Sequence, residues 1–218
     1  MFILYDITIN IMFDIGNLSS FFLLGVSGAV DVLFALDGSS TVTGKIFDRM
    51  KAFIKGSLNT YNISSKDVRI GLMVYGKDAS SRLAFTDGTS KYIVEQAVDE
   101  LDRVGGMRKM TNALKFADKQ MFSVTDRPEA GRLLVLMTNG KNDEIDKDDL
   151  KKAVSSLRGN KINVLVIAVG DDVDKNELSR IADDQKKLIH LSKDQDIASA
   201  VPPVLDEISK AAGTYCFH

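Results

Sequence analysis

Side chains with oxygen atoms follow a short apolar run near the start of the chain. Residues 32–36 are apolar, and Asp37, Ser39 and Thr41 come directly after them at alternate positions. Short apolar runs are typical of strands buried on both faces of a parallel sheet, and open α/β sheets bind ligands just beyond the carboxyl ends of such strands. Because hard divalent cations take oxygen ligands, the stretch predicts a metal site. The same residue types are also ordinary in turns and helix caps.

The stretch also resembles a phosphate-binding loop, but its spacing departs from that motif. Five residues separate Gly38 from Gly44 where the motif has four, and Ile46 follows Lys45 where the motif has Ser or Thr. The extra residue disturbs the cradle of backbone N–H groups, and Ile46 cannot ligate Mg²⁺. No later buried strand ends directly in the acidic residue with which nucleotide hydrolases hold their metal. We therefore expect no nucleotide binding.

Other catalytic and nucleic-acid signatures are absent from the sequence. The two histidines, His190 and His218, are too few and too far apart to predict a zinc site. The chain has no Gly-x-Ser-x-Gly, His-Glu-x-x-His or Gly-x-Gly-x-x-Gly sequence. A formal net charge of −2 gives no reason to expect a nucleic-acid partner. No nucleophile or general base stands in a credible constellation, so we expect no enzyme.

Length and composition favour one globular domain with some additional sequence. The chain has 218 residues, of which 44% are hydrophobic and 27% charged. Residues 1–29 are interpreted as a secretory leader or an ill-defined segment, because an apolar run is followed by small residues but no Lys or Arg precedes Lys45. Cys216 is the one cysteine, so no internal disulfide is possible. Asn17 and Asn62 both begin glycosylation acceptor patterns.

The elements that position these side chains alternate between buried strands and amphipathic helices. This alternation predicts an α/β fold with a doubly wound, mostly parallel sheet of about six strands and helices on both faces. A short segment at Arg82 to Phe85 is expected to be antiparallel at one edge, and prolines 202 and 203 are expected to start a helix afresh or to kink it. The predicted strands are 32–36, 68–75, 82–85, 132–138, 162–169 and 187–191, and the predicted helices lie near 43–60, 93–101, 111–122, 148–157, 176–182 and 197–212.

Six ordered pieces of the sequence resemble the von Willebrand factor type A domain, also called the integrin inserted domain, and most of all those of matrix collagens and matrilin-like proteins. The resemblance covers about residues 30–212 and leaves residues 213–218 as a tail. The resemblance implies a Rossmann-like fold. The pieces are Val30 to Thr41, Val68 to Tyr75, Gly105-Gly106 with Thr111 to Leu114, Arg132 to Gly140, Val164 to Gly170 and Glu177 to Ala182.

The resemblance implies a metal-ion-dependent adhesion site at the carboxyl end of the sheet. Its ligands come from an Asp-x-Ser-x-Ser loop, a threonine after the Gly-Gly pair and an aspartate in a Thr-Asp-Gly strand end, and an acidic side chain of the partner completes the shell of Mg²⁺ or Mn²⁺. Asp37 and Ser39 match, Thr41 keeps a hydroxyl, and Asn139 stands at the aspartate position. The expected partner-binding residues are Asp37, Ser39 and Asn139, together with Arg108, which is described next.

Arg108 stands at the family's threonine position when the pattern is counted back from Ala113 and Leu114. Arginine has no acceptor atom and always carries its charge, and Asn139 removes an anion, so both departures make the site more positive. We therefore expect weak or absent metal binding. Two arrangements remain open: the Arg108 guanidinium pairs with Asp37 in place of the cation, or Arg108 points to solvent. Thr111 could serve as ligand only if the loop register shifts.

The function implied by the resemblance is a non-enzymatic protein-interaction or adhesion module of an extracellular protein, in a larger multidomain chain. Its partner would be a matrix or cell-surface protein. The possible leader, the glycosylation patterns and Cys216 agree with secretion. The alternatives are an intracellular scaffold module, because the same fold serves in cytosolic assemblies, and a metal- or nucleotide-dependent enzyme. Sugar on Asn62 would separate the first two.

Overall fold

The structure is a computed structural model, and it describes residues 28–140, 143, 147–171, 173–182, 185–192 and 197–213. The expected leader up to residue 27, the acceptor pattern at Asn17, and Cys216 in the tail lie outside the described residues. No helix among the residues described is both long enough and apolar enough to cross a membrane.

One six-stranded sheet runs through the centre of the molecule, in the order β3-β2-β1-β4-β5-β6. All neighbouring strands are parallel except β3, which is antiparallel to β2 at the edge. This confirms the predicted fold class. The strands are β1 (Val30–Asp37), β2 (Val68–Tyr75), β3 (Ala79–Leu83), β4 (Gly131–Thr138), β5 (Ile162–Val169) and β6 (Leu188–Leu191).

The edge strand β3 begins earlier than the sequence predicts. Pairing with β2 starts at Ala79, opposite Tyr75, directly after a tight turn. Residues 79–82 are half-buried or exposed, since an edge strand packs less of its surface than a central one. They therefore lack the apolar pattern that would have marked them, and the hairpin's backbone hydrogen bonds determine where the strand begins.

Helices cover both faces of the sheet. The first, second and sixth pack on one apolar face, and the third, fourth and fifth pack on the other. Alternate residues of β1 serve the two cores, with Phe34 in the first and Leu33 in the second. The helices are α1 (Gly44–Ser57), α2 (Lys91–Asp99), α3 (Met110–Phe116), α4 (Lys147–Gly159), α5 (Lys175–Ile181) and α6 (Val201–Ala211).

Two helices differ from simple expectation in an informative way. The helix predicted at 111–122 is α-helical only to Phe116, and it continues as a π-helical turn (Ala117–Met121) and a 3₁₀ turn (Phe122–Val124). The pattern near the C-terminus divides into a 3₁₀ turn (Ile197–Ala200) and α6, with the prolines in the first turn of α6. The predicted fresh start at the prolines is confirmed, because proline fits the first helical turn but not the interior.

The strand order determines where a ligand site belongs. From β1 the chain proceeds outward to β2 and β3, and then returns to place β4 on the other side of β1. The connections therefore diverge between β1 and β4, which leaves a crevice beyond their carboxyl ends. Asp37 is the last residue of β1, and Asn139 directly follows β4, so both predicted site residues lie at this crevice.

Candidate functional site

Asp37 lies at the centre of the crevice and is fully buried. Its Oδ1 accepts a hydrogen bond of 3.0 Å from the backbone N–H of Ser39. Its Oδ2 accepts one from the Arg108 Nε and another, of 3.0 Å, from the Thr138 hydroxyl. A buried carboxylate needs such partners, because leaving it unpaired away from water is costly.

The loop between α2 and α3 is held against the ends of β1 and β2 by backbone hydrogen bonds. Gly105 N donates to Gly38 O at 2.8 Å, and Lys77 N donates to Gly105 O at 3.1 Å. Gly106 O accepts from Ser40 N at 2.9 Å, and Gly106 N donates to Ser40 Oγ at 2.8 Å. Gly105 and Gly106 have φ values of +73° and +75°, which glycine adopts most readily. This conformation presents the following residues to the crevice.

Arg108 extends from this loop into the position between the predicted metal ligands. It is 4% exposed, and its guanidinium donates to three of their oxygens: Asp37 Oδ2, Thr41 Oγ1 and Asn139 Oδ1. A Cβ on Gly140 would lie 2.5 Å from Arg108 Nη1, so a larger residue at position 140 would require the guanidinium to shift.

The structure brings together all the residues that sequence reasoning placed at this site. Ser39 Oγ and Thr41 Oγ1 lie 3.2 Å apart, and Asn139 Nδ2 donates to the Thr41 carbonyl at 3.3 Å. Of the two arrangements for Arg108, pairing with Asp37 is the one observed. Asp37 and Ser39 are fully buried, and Asn139 is half-buried, so their predicted contact with a partner stays a prediction.

Three further residues support the site and were not identified from the sequence. Thr138 bonds to Asp37, Ser40 Oγ accepts from the Gly-Gly loop, and the Asp143 carboxylate accepts a 2.8 Å bond from Arg108 N. Thr138 and Ser40 each adjoin a predicted ligand in the sequence, which was a usable signal. Asp143 has no such signal, because its role depends on how the loop after β4 folds back.

The arrangement offers little acid–base chemistry. Tyr75 is fully buried beside the site, and burial, together with the negative charge of Asp37, raises the pKa of its phenol well above the ordinary value. Its hydroxyl donates to the Met137 carbonyl at 3.2 Å. A phenol whose pKa is raised in this way keeps its proton near neutral pH, and Asp37 accepts hydrogen bonds on both carboxylate oxygens. The site is suited to holding loops in place.

Comparison with known proteins identifies the family. The sequence profile of the von Willebrand factor type A domain matches residues 31–206. The chain belongs to the von Willebrand factor type A domain family. Its relatives include the mouse collagen alpha-4(VI) chain, 24% identical over 188 residues, and the Xenopus laevis collagen alpha-1(XXI) chain, 27% identical over 152 residues. These alignments cover 86% and 70% of this chain, but only 8% and 15% of the collagen chains.

Solved structures of this fold include one described with a bound metal. The mussel byssus proximal thread matrix protein 1, described with a zinc-occupied metal-ion-dependent adhesion motif, matches with a TM-score of 0.73 at 21% identity. The match covers 86% of this chain and 47% of that one, and shows a shared fold. Metal binding therefore occurs among proteins of this fold. In this chain the Asp37, Thr41 and Asn139 oxygens accept hydrogen bonds from the Arg108 guanidinium.

Proposed function

We propose that this type A domain is a non-enzymatic protein-interaction module of an extracellular matrix or adhesion protein, and that it acts without a bound metal. The observation that carries the metal-independent part is the Arg108 guanidinium, which donates to Asp37, Thr41 and Asn139. The matrix setting is supported by the collagen relatives. Because the chain spans a small share of those relatives, we place it in a larger multidomain protein.

Electrostatics support the metal-free proposal. A divalent cation at this position would meet the positive charge of Arg108 beside the carboxylate of Asp37, and Asn139 contributes only a neutral amide. To bind, the cation would have to displace a guanidinium that is buried among its partners.

The partner would meet the rim of the site, since its floor is closed. Val104 and Met107, on the loop that carries Arg108, are 39% and 56% exposed, and the side chains of Ser40 and Thr41 are exposed beside that loop. Exposed apolar side chains among polar groups are typical of protein-binding surfaces, and methionine adapts readily to a partner. Arg108, Asp37, Ser39 and Asn139 would then contribute by holding the rim in shape.

Binding to a panel of purified extracellular-matrix proteins tests this proposal. We expect the full chain to bind at least one member equally well in Mg²⁺ and in EDTA, as measured by surface plasmon resonance. Met107→Asp should weaken that binding about tenfold or more, because a charge replaces an exposed apolar side chain of the rim.

Tyr92→Asp is the matched control, because Tyr92 is 70% exposed on α2, outside the rim. It should leave binding unchanged. Binding that EDTA abolishes would contradict the metal-free mechanism. Binding that Met107→Asp leaves intact would contradict the rim as the contact surface, and failure to bind any member would contradict a matrix partner.

A further inference from the structure

The connection between α1 and β2 carries a modification pattern that the proposed interaction does not use. Asn62, Ile63 and Ser64 form an Asn-x-Ser acceptor for N-linked sugar, and the middle residue is not proline. Asn62 is exposed. Ile63 forms an isolated β-bridge with Val68, and Val68 N donates to Asn62 O at 3.2 Å. The acceptor asparagine therefore lies on a surface turn that is anchored to the start of β2.

Asp67 organises this turn around both side chains of the acceptor pattern. Asn62 Nδ2 and Ser64 Oγ each donate a 2.7 Å hydrogen bond to Asp67 Oδ2. Ser64 Oγ in turn accepts from the backbone N–H groups of Lys66 and Asp67, at 3.2 and 3.0 Å. An asparagine amide nitrogen carries two hydrogens. The bond to Asp67 uses one of them, which leaves the second on an exposed side chain.

We propose that Asn62 carries an N-linked oligosaccharide when the chain passes through the secretory pathway, an inference that rests on the extracellular placement proposed above. The new bond joins C1 of the first sugar to Asn62 Nδ2. The bond from C1 to a polyprenyl diphosphate carrier breaks, the diphosphate leaves, and the amide loses one hydrogen as a proton. The remaining N–H keeps its bond to Asp67, so the folded turn accommodates the sugar without rearrangement.

The position of Asn62 gives the sugar a consequence for binding. The turn precedes Val68, the first residue of β2, whereas the Arg108 site lies beyond the carboxyl end of the same strand. Eight residues of strand separate the two ends, which is about 25 Å at the usual rise per residue. An oligosaccharide on Asn62 therefore shields the amino end of the sheet and leaves Val104 and Met107 open to a partner.

Mapping of sugar sites on secreted protein tests the inference. The full chain, with a secretion signal appended, is produced in cultured animal cells and recovered from the medium and the secretory compartments. Peptide N-glycosidase in heavy-oxygen water converts each glycosylated asparagine to labelled aspartate, which mass spectrometry locates. We expect label at Asn62 in most copies.

Matched variants separate this site from the second acceptor pattern in the sequence. Label at residue 62 should persist in Asn17→Gln and in Ser64→Thr, which keeps the acceptor pattern. It should disappear in Asn62→Gln and in Ser64→Ala. Chain recovered from these compartments without label at Asn62 would overturn the inference.

The same variants distinguish this inference from the proposed function. Asn62→Gln should bind matrix proteins as the unchanged chain does, because the sugar lies at the opposite end of the sheet. A chain that is labelled at Asn62 but binds no matrix protein would uphold the modification and contradict the proposed function. A chain that binds a matrix protein but carries no label at Asn62 would contradict the modification and leave the proposed function standing.

Discussion

Arg108 and Asp37 form a closed ion pair at the carboxyl end of β1. The pair is buried, and hydrogen bonds from Thr138 and Ser39 complete the carboxylate's partners. Buried pairs contribute little net stability compared with apolar residues of similar size, but loss of one partner alone is strongly destabilising. We therefore expect a single substitution at either position to be strongly destabilising.

The double variant Arg108→Thr/Asn139→Asp should gain affinity for Mg²⁺. It removes the guanidinium and supplies the hydroxyl and carboxylate that the family pattern has at these positions. We expect about a tenfold or greater increase in the association constant, equivalent to about 1.4 kcal/mol or more, measured by isothermal titration calorimetry. We also expect Mg²⁺ to raise the unfolding temperature of this variant, because the cation binds the folded state and offsets the repulsion between the carboxylates at positions 37 and 139.

The control for that variant is Arg82→Thr/Asn59→Asp, which makes the same change of charge at two exposed positions. It should bind Mg²⁺ no better than the unchanged chain. If the site variant folds, as judged by circular dichroism, and titrates like this control, the proposal that Arg108 and Asn139 weaken metal binding is wrong.

Substitution of Arg108 by methionine should lower the free energy of unfolding by about 3–5 kcal/mol, because Asp37 is left charged and buried without its partner. Asp37→Asn should relieve much of that loss in the double variant Arg108→Met/Asp37→Asn. Urea denaturation at neutral pH measures the free energy of unfolding of Arg108→Met, of Asp37→Asn and of the double variant. Additive losses in the double variant would show that the two side chains do not stabilise each other.

At the scale of the elements, β1 is held by carboxylate–guanidinium pairs at both ends. Asp31, near its amino end, is fully buried and pairs with Arg69 at 2.9 Å and with Arg127. Thr125 donates to the same carboxylate at 2.7 Å. These bonds join β1 to the start of β2 and to the segment that leads into β4. The Arg108 pair does at one end of the strand what the Asp31 cluster does at the other.

Stability should depend on the ionisation of Asp31. Burial opposes ionisation, but hydrogen bonds from Arg69 and Arg127 outweigh it and hold the pKa of Asp31 below its ordinary value. The stabilisation is therefore complete above the unfolded-state pKa of about 3.9 and is lost as the pH falls through the lower folded-state pKa. Asp31→Asn should be strongly destabilised at neutral pH. The difference in free energy of unfolding between this variant and the unchanged chain should become smaller in that acid range.

Urea denaturation at a series of pH values measures this narrowing. Asp99→Asn is the control, because it removes an exposed ion pair with Lys55 that contributes little to stability. It should stay close to the unchanged chain at every pH. A deficit of Asp31→Asn that remains constant through the acid range would contradict the assigned role of the ionised carboxylate.

The packing of α6 against β4 leaves no room for a side chain at Gly131. A Cβ on Gly131 would meet the backbone carbonyl oxygen of Ala211. We expect Gly131→Ala to lower the free energy of unfolding by about 1–3 kcal/mol, as overpacked cores do. Gly56→Ala, in the exposed part of α1 with no neighbour within 4 Å, should instead raise it by about 0.5–1 kcal/mol. Equal effects of the two in urea denaturation would contradict this close packing.

At the scale of the whole molecule, much of the fold could be predicted from the sequence. Strands buried on both faces are nearly continuous apolar runs, so β2 and β5 were predicted with the bounds they have. The start of β3 and the π-helical turn after Phe116 could not be predicted, because hairpin pairing and packing against neighbouring elements determine them. Local sequence propensity predicts neither feature.

The site was predictable where residue type alone decided the chemistry. The sequence left two arrangements open for Arg108, pairing with Asp37 or pointing to solvent, and the structure has the ion pair. The contribution of Asp143 depends on how the loop after β4 returns to the crevice, which no spacing in the sequence encodes. The burial of Asp37 and Ser39 also emerged only from the fold. It moves the expected contact surface outward to Val104 and Met107.

Thermal unfolding of the full chain in Mg²⁺, in Mn²⁺ and in EDTA tests the central claim most directly. A metal that binds only the folded state raises the unfolding temperature by an amount that grows with its concentration. Because the Arg108 guanidinium already bonds to the oxygens that would hold a cation, we predict the same unfolding temperature in all three conditions. An upward shift with Mg²⁺ or Mn²⁺ that grows with concentration and that EDTA reverses would contradict the claim.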